Sequence, residues 1–395
     1  GRVRPRRRQQ RLVRTVVYVL VLLVALSATF LAAPACRSLA LRTGAVAKVR
    51  DRDVHARPVP YFGGLSMLVG VSVALVCARQ LPFLGRHQLV TGDSFAILLA
   101  GAVICGVGVL DDLIDLPALA KAAGQVLAAG IAVLMGVRIL WIPVPGRLVA
   151  LDQMSSIAIT VFLIFVCVNA INFVDGLDGL AAGVVAIGSL AFAAYTYVLS
   201  VEQDLVRATT ASLVTVAMAG ACLGYLPHNF FPARMFMGDS GAMLLGLLLA
   251  TSTVSLTGQM DPAALADQQG LLTAYLPILL PVAILALPVL DLVMAYVRRT
   301  IAGKWWFHAD KMHLHHRLLH RGHSQTRAVL VMYLWTALLS FGAIAVGLAE
   351  QGWVVALVLG LVAVAVVLTL VPGHRRTRRE PDPDREQSTD HSRAP

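Results

Sequence analysis

The chain has 395 residues, of which 57% are apolar and only 14% charged, and its mean hydropathy is +0.74. That balance excludes an ordinary water-soluble domain and points to many membrane-spanning helices. The net charge of +11 is concentrated locally, in seven arginines between Arg2 and Arg14 and in Arg375, Arg376, Arg378 and Arg379 near the other end. Basic flanks of this kind face anionic lipid or set topology, so membrane lipid and not nucleic acid is the expected partner.

A helix that crosses the hydrocarbon takes about 20 mostly apolar residues. Residues 1–11 read as a disordered basic arm. The first apolar run, 12–33, is too long for a signal-peptide core and is read as a span. Further spans are expected at 61–79, 93–110, 117–136, 155–171, 179–199, 206–226 and 240–257. The apolar stretch 271–297 contains Pro277, Pro281 and Pro288 and counts as one kinked span. Two more follow at 327–349 and 352–371, and 372–395 reads as a disordered charged tail. Residues 137–154, with Pro143, Pro145 and Gly146, have the turn chemistry of a small hairpin. The expectation is an all-α, polytopic membrane protein with about 11 transmembrane helices in one domain, 12–371. Its five cysteines have no metal spacing and read as small buried hydrophobes.

With 11 spans the loops fall into two alternating sets. The set holding 34–60, 111–117, 170–179, 227–239, 298–326 and the tail contains 19 of the 33 Lys and Arg. By the positive-inside rule this set is cytoplasmic, against the weight of the N-terminal arginines. Every polar motif of the chain lies in that set.

Asp111 and Asp112 stand where the third span ends, and Asp115 shares the face of Asp111 if the helix continues. Clustered carboxylates repel one another unless a cation is present, so they suit either Mg²⁺ or a proton acceptor. Asn169, Asn172, Asp175 and Asp178 recur every third residue between two apolar runs, which on a helical or 3₁₀ turn makes one polar stripe. Such a stripe is costly beside lipid unless it faces water, metal or substrate. Gly238-Asp239-Ser240-Gly241 opens the eighth span, where Asp239 either caps the helix or holds a metal while the backbone N–H groups face phosphate. Asn229 and Phe236 just upstream suit a nucleobase or plain packing.

Loop 298–326 holds six of the eleven histidines. Arg317 and Lys311 are interleaved with them, and no cysteine or HExxH is nearby, so a diphosphate fits the loop better than zinc. Arg57, set among Pro58, Pro60, Gly63 and Gly64, is a second cationic candidate. Acidic centres, phosphate-binding cations and a membrane location together imply phosphoryl chemistry between a soluble donor and a lipid acceptor.

Four motifs in this order resemble the polyprenyl-phosphate N-acetylhexosamine-1-phosphate transferases. They are Asp111-Asp112 followed by Lys121 and Gln125; Asn169 to Asp178 with Gly179; Phe236-Met-Gly-Asp239-Ser-Gly; and His313-Leu-His315-His316-Arg317. The last is similar to the branch that uses UDP-N-acetylglucosamine, and the segment from Gly322 to Leu330 is similar to actinobacterial members acting on decaprenyl phosphate.

The resemblance implies transfer of GlcNAc-1-phosphate from UDP-GlcNAc to a polyprenyl phosphate, decaprenyl or undecaprenyl, with release of UMP. It implies Mg²⁺ or Mn²⁺, a site on the cytoplasmic face of the plasma membrane, and a homodimer. Asp175 and Asp239 would then be metal ligands, and Asp111, with Asp112 beside it, the base that orients the lipid phosphate. Asn229 and Phe236 would hold uracil, with Asn172 and Asp178 nearby. His313, His315, His316 and Arg317 would grip sugar and diphosphate. The rivals are another UDP-N-acetylhexosamine donor or a transporter of a phosphorylated solute.

Overall fold

A computed structural model describes residues 3–47, 58–81, 84–85, 88–144, 147–202, 206–257, 279–280, 282–284, 286, 300–301, 324–348 and 351–370. Arg57, His313, His315, His316 and Arg317 lie outside them. Apart from one hairpin, an isolated bridge between Val46 and Pro60 and the connecting loops, the described chain is helical. Its helices are α1 Val3–Thr43, α2 Gly63–Arg79, α3 Gln88–Ile114, α4 Ala118–Leu134, α5 Gln153–Val174, α6 Leu180–Tyr197, α7 Val206–Asn229, α8 Gly238–Thr257, α9 Gln325–Leu348 and α10 Gly352–Leu370. Eight are long and apolar enough to cross a membrane, and α2 and α4 are shorter apolar helices. Ten of the expected spans are therefore present as helices. The kinked span at 271–297 falls mostly outside the described residues. α1 extends beyond the expected apolar run at both ends.

The hairpin pairs β1 (Trp141–Val144) with β2 (Arg147–Ala150), Trp141 opposite Ala150. It sits between α4 and α5, at the end opposite the polar motifs. Asp152 then caps α5, accepting from the N–H groups of Met154 (3.0 Å) and Ser155 (3.2 Å).

The bundle is built around α8. Every residue of this helix except Asp239 is buried. α2, α3, α5 and α7 surround it. Small residues let them approach. A Cβ on Gly108 of α3 would stand 2.3 Å from the Ser240 Cα, and one on Gly246 of α8 would stand 2.4 Å from the Val168 Cα. Close backbone approach of this sort replaces hydrophobic drive where the surroundings are lipid. α1 packs on α2 and α7. Its Pro34 lacks an N–H, which leaves the Phe30 carbonyl without its helical donor. His228 of α7 lies beside that turn, its ring 4.9 Å from the ring of Phe30.

The periphery is apolar and outward-facing. Leu119 and Leu134 on α4 are 83% and 86% exposed, and α10 touches the bundle mainly through α9, where Trp335 donates to Thr369 at 3.0 Å. Exposed leucine at this density is a lipid-facing surface. The molecule is a multi-pass membrane protein.

Candidate active site

The C-terminal ends of α3, α5 and α7 and the N-terminal ends of α2, α4, α6 and α8 gather at one end of the bundle. That common end follows from antiparallel crossing by consecutive helices, and it brings the motifs together.

Helix α3 stops at Ile114, because Asp115 takes a left-handed φ of 53°. The expected continuation that would align Asp111 with Asp115 does not occur. Asp111 instead caps the turn: its Oδ1 accepts from the Leu116 N–H at 2.9 Å. Its Oδ2 meets the Lys121 ammonium at 3.1 Å. Lys121 also contacts the carboxylate of Asp239, so one ammonium bridges α3, α4 and the start of α8.

Asp112 turns the other way. Its Oδ1 accepts from the Asp239 N–H at 2.8 Å and its Oδ2 from the Ser240 N–H at 3.4 Å. The free N–H groups that open α8 are thus met by a carboxylate from α3, not by Asp239 or Ser240. Gly238 fits this contact with φ 70°, and a Cβ there would stand 2.4 Å from the Asp112 carboxylate.

The three-residue stripe divides among several tasks, because α5 ends at Val174 and the chain turns. Asn169 faces inward and donates to Gln125 Oε1 and to the Phe165 carbonyl, both at 2.8 Å. Asn172 is half-buried on the last turn, and Asp175 follows as the C-cap residue. Neither side chain has a hydrogen bond among the described residues. Burial, and then the negative charges of Asp112 and Asp178, push the Asp175 carboxyl up to about 7. Asp178 is buried, and its Oδ2 accepts from the Ala233 N–H at 2.9 Å.

The loop after α7 is held from both sides. Asn229 is buried: its Oδ1 accepts from the Gly179 N–H and its amide donates to the Met235 carbonyl, each at 3.0 Å. Tyr225 donates to the same carbonyl at 2.9 Å. The Phe236 N–H donates to Pro60 at 2.8 Å, and the N–H groups of Gly63 and Gly64 donate back to Phe236 and Met237 at 3.1 Å. Phe236 itself is half-buried, its ring 6.1 Å from that of Tyr61.

The structure therefore brings Asp111, Asp112, Asp175, Asp178, Asn172, Asn229, Phe236 and Asp239 to one end of the bundle. Within that set Asp112 meets the first N–H groups of α8, and Asp178 and Asn229 bond backbone groups of neighbouring loops. Motif spacing alone had not singled out Lys121 as a site residue. The signal was present: it is the only charged residue in α4, and an ionisable group inside a spanning helix marks function.

The donor set suits a hard divalent cation, since the open ligands are carboxylate and carboxamide oxygens. Among the described residues no three acidic, histidine or cysteine side chains enclose an ion by themselves. Asp175, half-buried with no bonding partner among the described residues, and Asp239, the one partly exposed position of α8, are the carboxylates suited to it.

Residues 94–257 match the model for glycosyl transferase family 4. A decaprenyl-phosphate N-acetylglucosaminephosphotransferase of Mycobacterium tuberculosis is 46% identical over 370 residues, covering 92% of this chain and 91% of the relative. A probable undecaprenyl-phosphate N-acetylglucosaminyl 1-phosphate transferase of Bacillus subtilis is 33% identical, covering 85% and 86%. A phospho-N-acetylmuramoyl-pentapeptide-transferase of Desulforudis audaxviator is 31% identical, covering 72% and 83%. With the motifs gathered at one end of a membrane bundle and relatives aligned along nearly all of its length, the chain belongs to the glycosyl transferase family 4 enzymes, the polyprenyl-phosphate sugar-1-phosphate transferases.

Proposed function

We propose that this enzyme transfers GlcNAc-1-phosphate from UDP-GlcNAc to decaprenyl phosphate or a polyprenyl phosphate of similar length. The products are polyprenyl-diphospho-GlcNAc and UMP. In the net reaction an oxygen of the lipid phosphate becomes bonded to the β-phosphorus of the donor, the bond from that phosphorus to the bridging oxygen is broken, and UMP leaves with the bridging oxygen. The observation that carries the reading is the identity of 46% along almost the whole of a decaprenyl-phosphate N-acetylglucosaminephosphotransferase.

Catalysis of this kind is positioning and charge neutralisation. Asp175 and Asp239 would hold Mg²⁺, or Mn²⁺, which when bound offsets the charge of the donor diphosphate. Asp111 accepts or orients the proton of the lipid phosphate. Lys121 offsets negative charge between Asp111 and Asp239. Asp112 keeps the start of α8 in place, while Asn229 and Asp178 hold the loops on which Phe236 is presented to uracil. Arg57, His313, His315, His316 and Arg317 supply further contacts to sugar and diphosphate.

The site faces the cytoplasm across the plasma membrane in an 11-span topology. What supports this is the charge of the motif-bearing loops, with 19 of the 33 Lys and Arg, together with the cytosolic origin of a sugar nucleotide.

The test is transfer of label from UDP-[¹⁴C]GlcNAc to polyprenyl phosphate by membranes containing the protein and Mg²⁺. Lipid-linked label and stoichiometric UMP are expected. Label from another UDP-N-acetylhexosamine in preference would replace the donor, and no lipid-linked product from any of them would overturn the reading.

A further inference from the structure

Helix α4 carries only two polar side chains, Lys121 and Gln125. They are four residues apart and so share one face. On α8 the residues opposite them, Asp239 and Met243, are also four apart. Lys121 meets Asp239, and one turn deeper Gln125 donates from Nε2 to the Met243 sulfur at 3.3 Å. The same glutamine accepts from Asn169 of α5 at 2.8 Å. Gln125 is 1% exposed, so both ends of its amide are committed inside the bundle.

We propose that Gln125 is a positioning residue. It sets the register of α4 against α5 and α8 and thereby holds Lys121 between Asp111 and Asp239. Little else fixes α4 on that side. Its outer face, Leu119, Val126, Leu127 and Leu134, is exposed, and its buried positions besides Gln125 are apolar and mainly alanine, which pack on α3 and α5 without a directional bond. A buried amide is costly when unpaired, so the two hydrogen bonds define one preferred register. Through Asn169 the same contact reaches the last turns of α5, which end in Asp175. The catalytic consequence rests on the activity proposed above, whereas the register itself does not.

Two readouts on the purified full-length protein test this. Without substrates, acetylation of Lys121 is followed by mass spectrometry. In turnover, kcat and the KM for UDP-GlcNAc are measured. Gln125→Met keeps the size and removes the amide. It is expected to expose Lys121 to acetylation several times faster and to lower kcat about 10- to 100-fold, with KM held within about twofold. Adding Asn169→Leu should cost nothing more, because the pair acts as one unit. Leu127→Ala, on the lipid face, should change neither readout. If Gln125→Met does not fold, Asn169→Leu alone must move both readouts in the same direction. Wild-type acetylation of Lys121 in the folded variant would overturn the proposal, and so would full kcat or losses that multiply in the double variant. A wild-type protein that transfers no sugar phosphate would sink the activity and leave the acetylation result to decide the register.

Discussion

Asp175 and Asp239 differ in what their carboxylates face, and that difference is testable. Asp239 lies against Lys121, whereas Asp175 has no bonding partner among the described residues and is pushed up to about 7 by burial and by Asp112 and Asp178. A carboxyl raised in the folded state holds its proton more tightly there than in the unfolded chain. Stability from this group is therefore full below about 4, the ordinary carboxylate range, and is lost as pH rises to about 7. In buffer without divalent metal, Asp175→Asn should raise the thermal midpoint more at pH 8 than at pH 5. Equal gains at both would show that the charge is not what burial opposes. Mg²⁺ should raise the wild-type midpoint at pH 8 and do less for Asp175→Asn. For catalysis, Asp239→Ala and Asp111→Asn should each abolish turnover while the protein still inserts at normal yield. Near-normal kcat in either would remove that residue from the proposed machinery.

At the scale of elements, the start of α8 is placed by its neighbours. Asp112 on α3 meets its first N–H groups, and Gly108 one turn earlier lets the two backbones touch. Gly108→Ala inserts a methyl where the nearest atoms are backbone, so helix α3 must move. Overpacking of this kind costs about 1–3 kcal/mol. The expected result is a loss of kcat larger than the fall in thermal stability accounts for, because the displaced helix carries Asp111. A variant with reduced stability and full kcat per folded molecule would show that this crossing does not place the carboxylates.

The whole molecule has two unlike ends. One bears the carboxylates and the loop around Arg234, and the other bears the hairpin and Asp152. In a background lacking the exposed Cys77, Arg234→Cys should react with a membrane-impermeant maleimide only in inverted vesicles, and Met154→Cys only in intact cells. Both positions are exposed. The reverse pattern would overturn the cytoplasmic placement of the site.

Much of this plan was legible from residue order. Runs of about 20 apolar residues located nine of the helices to within a few positions, because a lipid surround demands both the length and the apolarity, and found α1 but not its longer ends. The turn residues of 137–154 marked the hairpin, and the motif residues marked the end where chemistry gathers. What residue order did not show is which polar groups answer one another. Asp111 and Asp115 looked like one face, but the chain turns between them. The four-residue polar stripe looked like one wall, but Asn169 serves α4 and Asp178 serves the loop after α7, while the side chains of Asn172 and Asp175 stay open among the described residues. Asp112 meets N–H groups 127 and 128 positions away, and Gln125 meets a sulfur 118 positions away. Periodicity records which face of a helix is buried, since that depends on near neighbours. It holds no record of the partner across the bundle, which is set by packing of helices far apart in sequence. Only the tertiary structure decided that Lys121 bridges two carboxylates, and that Gln125 one turn deeper joins Asn169 and Met243.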